Sequence, residues 1–87
     1  MFDRKMIAII NKKETGKKIK QARIKRDYKV EYVVEELKLQ NYLSFEEGLT
    51  IPTINQLLDL SKLFDVKMDE LISYKVENWH FESIVQY

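Results

Sequence analysis

The side chains of this sequence best suited to chemistry are cationic. Residues 1 to 29 hold eleven Lys or Arg and three acids, a net +8. Residues 30 to 87 hold four bases and eleven acids, a net −7. The total of +1 conceals this asymmetry, which suits a face that binds a polyanion. The same run also fits a basic helix that pairs with the acidic half or simply faces water.

Other chemistry finds little support. His80 stands alone, without the carboxylate–histidine spacing of a metal or catalytic site. Glu35 and Glu36 are adjacent and face different ways on a helix, a poor acid/base pair. Ser44, Ser61 and Ser73 lack a neighbouring base, and there is no Gly-rich phosphate loop. With no cysteine there is neither a disulfide framework nor a thiolate metal site. The expectation is a protein that is not an enzyme and uses no metal or cofactor.

A chain of 87 residues has room for one small domain. Its 45% hydrophobic and 33% charged residues place it among globular chains. The longest apolar run, Met6 to Ile10, is too short for a bilayer span or a signal-peptide core. No membrane association and a cytoplasmic location are therefore expected.

The elements that must position any site are helical in pattern. Thr15 can cap a first helix running to about Asp27, with Ile19, Ala22 and Arg26 on one stripe. A second helix is predicted from Val30 to Lys38, where Val30, Val33, Val34 and Leu37 keep the i, i+3, i+4, i+7 spacing. A short third helix fits Gln40 to Glu47 and ends at Gly48. Thr53 to Gln56 is a capping box, and the helix it opens runs to about Phe64 with Ile54, Leu57, Leu58, Ser61 and Phe64 inward. A fifth helix is expected at Met68 to Ser73, with Leu71 and Ile72 inward. Tyr28, Tyr32 and Tyr42 fit the rim of the core better than a stacking platform. Phe2 to Asn11 suits a helix or a strand. Trp79 to Tyr87 is rich in β-formers, and the two ends can pair with each other or across a dimer. The division is an extension at 1–14, a helical domain at 15–74 and a tail at 75–87 that is a possible dimer interface.

Several of these segments together resemble the Cro/repressor-like (XRE-type) helix-turn-helix family. Thr15 to Arg23 looks like its opening helix, and Phe45-Glu46-Glu47-Gly48 resembles its Trp-Glu-x-Gly stop. Ile51 to Val66 is similar to its fourth helix and Met68 to Ile72 to its fifth. The resemblance implies an all-α, five-helix lambda-repressor-like domain, flanked here by short terminal extensions whose residues allow β-structure. It also implies a structural ion pair between Arg23 and Glu46. The second and third helices would then form a unit that reads double-stranded DNA, usually as a homodimer on two half-sites.

On that reading Gln40, Asn41 and Ser44 face bases, while Lys17, Lys18, Lys25 and Lys29 hold phosphates. The chain departs from the family at three points. Val30 stands where a Gln is usual, Lys38 where a Gly is usual, and Leu39 to Phe45 is two residues shorter. Residues 30 to 48 carry five acids and one base, which repels phosphate unless Glu31, Glu35 and Glu36 share an outer face. The sequence thus leaves two functions open. One is a DNA-binding transcription regulator. The other is a module that keeps the fold and binds a protein partner, as an antitoxin-like protein, adaptor or inhibitor.

Overall fold

The computed structural model describes residues 5 to 79. His80 and most of the predicted Trp79 to Tyr87 strand lie outside the described residues. The elements in order are strand β1 (Lys5–Ile10), helices α1 (Lys12–Lys25), α2 (Val30–Leu37), α3 (Tyr42–Glu46) and α4 (Ile54–Phe64), a single 3-10 turn (Met68–Glu70), and strand β2 (Tyr74–Trp79). The strands form an antiparallel pair, from Lys5 opposite Trp79 to Ile10 opposite Tyr74. The chain is thus mostly helical with a small two-stranded sheet.

The first helix starts earlier than its pattern suggests. Asn11, in extended conformation, accepts from the Glu14 amide and is the true cap. Thr15 is buried one turn inside, and its hydroxyl accepts from the Ser73 amide at 3.0 Å. The Asn11 amide donates to the Ser73 carbonyl at 2.8 Å, so β2 is latched to the start of α1. Arg26 does not join the buried stripe; it is exposed, and Thr15, Gly16 and Ile19 are buried in its place.

That latch also explains why the described chain has four α-helices and not five. A helix over Met68 to Ser73 needs the Ser73 amide for an intrahelical bond, but Thr15 takes it. One 3-10 turn forms at Met68–Glu70, and the chain then leaves as a strand. Leu71 is still fully buried.

The core gathers Ile19, Val33, Leu39, Tyr42, Phe45, Leu57, Leu60, Phe64 and Leu71. Tyr42 is fully buried, well inside the rim expected for it, whereas Tyr28 is half-buried and Tyr32 exposed. On α4 the capping box forms as its residues predict. The inward stripe is Leu57, Leu60, Ser61 and Phe64, however, and Ile54 is 62% exposed with Leu58 also outward. Both stripes keep helical spacing, and the core takes the one that brings Leu60 inside.

Candidate functional site

The α2–α3 unit is held by a clamp from α1. Arg23 Nε donates to Glu46 Oε2 at 2.5 Å, and its Nη2 donates to Oε1 at 3.1 Å. Its Nη1 donates to the Tyr28 carbonyl at 2.8 Å. One guanidinium therefore ties the end of α3 to the loop that enters α2. The planar fork of Arg suits this two-point contact. The Tyr42 hydroxyl donates to the same Glu46 oxygen from one turn earlier. The side chains of Arg23 and Glu46 are 12% and 4% exposed, so water does little to screen the pair. The hydrogen bond to Glu46 raises the Arg23 guanidinium above its ordinary value. Burial, and then the bond to Glu46, push the Tyr42 phenol far above its own.

This arrangement predicts a pH response. Folded Tyr42 keeps its proton where an unfolded tyrosine, with a value of 10.0, gives it up. The native state then binds more protons than the unfolded state, so stability is full below about pH 10 and falls as pH rises beyond it. Tyr42→Phe should lower stability at neutral pH by about 1.5–3 kcal/mol, because the buried carboxylate loses a hydrogen bond. It should also flatten the alkaline fall. Urea unfolding from neutral to strongly alkaline pH measures both effects, and an unchanged alkaline limb would contradict the assignment.

The turn between α2 and α3 is built on Lys38, at φ 56° and ψ 42°. A lysine in the left-handed region costs about 1–2 kcal/mol. The turn is offset by the next residue, since Leu39 enters the core immediately after it. Asp27 and Asp65 adopt the same conformation more readily, because short polar side chains tolerate it. Gly48 ends α3 at φ 75°, with Lys13 of α1 packed so close that a side chain there would meet its backbone.

The residues singled out for binding fall in separate places. Gln40 and Asn41 are exposed in the turn before α3, which starts at Tyr42 and not at Gln40 as expected, and the Asn41 side chain makes no capping hydrogen bond. Ser44 is half-buried, with its hydroxyl donating to the Asn41 carbonyl at 2.6 Å and sharing a 2.7 Å bond with Thr50. Lys29 is exposed at the cap of α2. Lys17 is exposed on α1 and pairs with Glu14 at 3.3 Å.

Lys18 donates to the Ile72 carbonyl at 3.1 Å, and with Lys25 it lines a groove that includes Val66 and Glu70. At about 100° per residue, these two point roughly 140° away from the Gly16, Ile19 and Arg23 side of α1 that meets α3. The structure therefore does not bring all four lysines to the α2–α3 unit. Glu31 and Glu35 line a groove with Val30, Val34, Lys38 and Gln40, so they do not keep to a face apart from Gln40. Leu43 is exposed on α3, a position that an apolar-core pattern passes over. Among the described residues no group of three or more His, Asp or Glu is placed to hold a metal, and no helix is long and apolar enough to cross a membrane.

The crystal structure of the DNA-binding domain of BldD superposes on this chain with a TM-score of 0.63, over 72% of this chain and 94% of that one. The two share a fold. Sequence identity across the match is 22%, so the likeness concerns fold and not residues. No family model matches the chain, and no curated protein does. Within this fold α2 and α3 follow one another across a turn at Lys38, and the Arg23–Glu46–Tyr42 cluster ties the end of α3 to α1.

Proposed function

We propose that the chain is a DNA-binding transcription regulator of the Cro/repressor-like (XRE) type, acting as a dimer on duplex DNA. The observation that carries this reading is the α2–α3 unit, held rigid by a buried clamp in a fold shared with a DNA-binding domain. Gln40 and Asn41 meet base edges, where each can pair with adenine. Exposed Leu43 suits a thymine methyl group. Ser44 holds the Asn41 backbone and Thr50 in place and takes part through them. Lys29 meets a phosphate at the start of α2; Lys17 points about 130° from the α3-facing side of α1 by the same helical count and is given no phosphate. The protein needs no catalytic group, metal or cofactor for this role.

The test is binding to a random duplex pool, with selection and sequencing, at two salt concentrations. An enriched palindromic motif whose binding weakens with salt is expected. Lys29→Gln should reduce the salt slope by about one and weaken all sequences alike. Gln40→Ala or Asn41→Ala should cost about 1–3 kcal/mol and relax preference at one base position. Lys18→Gln with Lys25→Gln should leave the slope unchanged, because these two face the opposite side of α1. Salt-independent binding would contradict the proposal.

A second reading is favoured by one observation. Glu31 and Glu35 sit in the groove beside Gln40, where they repel phosphate. A module that uses this acidic face to bind a basic protein partner would show no DNA binding at either salt concentration. It would also co-purify with that partner in a fixed ratio.

A further inference from the structure

The β1–β2 ribbon carries more apolar surface than a two-stranded sheet can use. Its described side chains are exposed, with Ile9 at 40% and Ile10 at 37% on opposite faces. Met6 to Ile10 is a continuous uncharged run. Such runs belong to strands inside a sheet, covered on both faces, and not to edges. β2 has the opposite character, with Lys75, Glu77 and Asn78 in six residues, the composition that natural sheets place at their ends. Two-stranded ribbons are marginally stable alone, and a third or fourth strand is what secures them. Among the described residues nothing pairs with the outer side of β1.

The register shows which backbone groups lie on that outer side. The Asn11 amide bonds the Ser73 carbonyl, so this pair continues the β1–β2 ladder at a hydrogen-bonded position. Pairs in an antiparallel ladder alternate between bonded and non-bonded. Ile7 and Ile9 therefore bond inward to β2, and Met6, Ala8 and Ile10 present their N–H and C=O groups outward.

We propose that this outer edge of β1 pairs with β1 of a second copy, antiparallel, with Ala8 opposite the Ala8 of its partner. The proposal rests on the dimeric reading above and names its surface. The three outward residues are symmetric about Ala8, so a two-fold axis there sets Met6 against the partner's Ile10 and uses every exposed group. The pairing closes on itself and leaves no apolar edge. The new outer strands are both β2, the polar ones. Six residues a side is far short of the roughly 20–30 of a permanent interface. The dimer should therefore dissociate on dilution.

Sedimentation of the full chain without DNA, across a wide concentration range, tests this independently of any DNA binding. The mass should rise toward twice 10.5 kDa as concentration increases. Ala8→Pro removes one outward N–H, leaves the bonds of Ile7 and Ile9 to β2 intact, and should hold the protein monomeric with unchanged helical circular dichroism. If that variant fails to fold, cross-linking decides. The chain has no cysteine, and bonded antiparallel partners lie about 5.5 Å apart at Cα, within disulfide range. Ala8→Cys should oxidise to a covalent dimer at least about tenfold faster than Val76→Cys on β2. A wild type that stays monomeric with no Ala8→Cys cross-link would overturn the proposal, as would an Ala8→Pro variant that dimerises like the wild type. Preferential cross-linking through Val76→Cys would place the interface on the other strand and also overturn it.

Discussion

Replacing Arg23 with methionine should lower the unfolding free energy by about 3–5 kcal/mol, the usual cost of stranding one partner of a buried ion pair. Methionine keeps the volume of the side-chain stem and removes the three donors that serve Glu46 and the Tyr28 carbonyl. The Glu46 side chain, 4% exposed, cannot recover a water shell in exchange. A domain of this size has about 5–15 kcal/mol of stability in all, so the variant should be partly unfolded at modest urea. Arg23→Met combined with Glu46→Leu should regain much of the loss, since the remaining uncompensated charge is gone. Urea unfolding monitored by helical circular dichroism measures both. A single variant that costs less than about 1 kcal/mol would mean that the pair behaves like a solvated surface bridge. If α3 is the base-reading helix, the double variant should remain folded yet bind DNA less selectively, because nothing then fixes the angle of α3.

Gly16→Val should cost at least about 3 kcal/mol, the upper end for overpacking. The expectation runs against helix propensity, by which removing a glycine from a helix stabilises it by up to about 1 kcal/mol. A Cβ at Gly16 would lie 2.4 Å from the Phe45 carbonyl oxygen and 2.7 Å from that of Glu46. Both obstacles are backbone, so neither can swing aside. The helices would have to separate, and Arg23 and Glu46 would separate with them. Thermal unfolding of Gly16→Ala and Gly16→Val gives the graded response. A stabilised alanine variant would show that α1 and α3 have slack at this contact.

Much of the helical framework is legible in the residues because the signals are local. The Thr53–Gln56 box closes within one turn, and Gly48 supplies a positive φ where α3 must stop. The stripe of α2 begins at Val30 and runs into a core whose centre includes Val33. The ion-pair geometry of Arg23 and Glu46 is different in kind, because it joins residues 23 apart. Resemblance to a family suggests the pair, but spacing alone does not. Gly16 carries a signal that hydrophobic periodicity does not register. A glycine inside a helix, with no turn to justify it, implies a neighbour that needs the space of a missing side chain.

The amino-acid order by itself determined four of the five expected helices, where α4 begins, where α3 ends, and that one end of the chain is basic and the other acidic. Each of these follows from groups that meet within a few residues or from composition alone. Tertiary structure decided what depended on competition between distant groups. Residues 54, 57, 58 and 61 and residues 57, 60, 61 and 64 both make helical stripes, and only the position of the core chose the second. Thr15 could cap a helix or bind Ser73, and the chain returning from Met68–Glu70 settled that in favour of Ser73, shortening the last helix to one 3-10 turn. Lys38 could avoid or accept the left-handed turn, and the burial of Leu39 made it accept. The lysines of α1 are alike in sequence, but the contact of Gly16 and Arg23 with α3 turned Lys18 and Lys25 to the opposite side. A helix can present only one face to its neighbour, and nothing local to the helix says which face that will be.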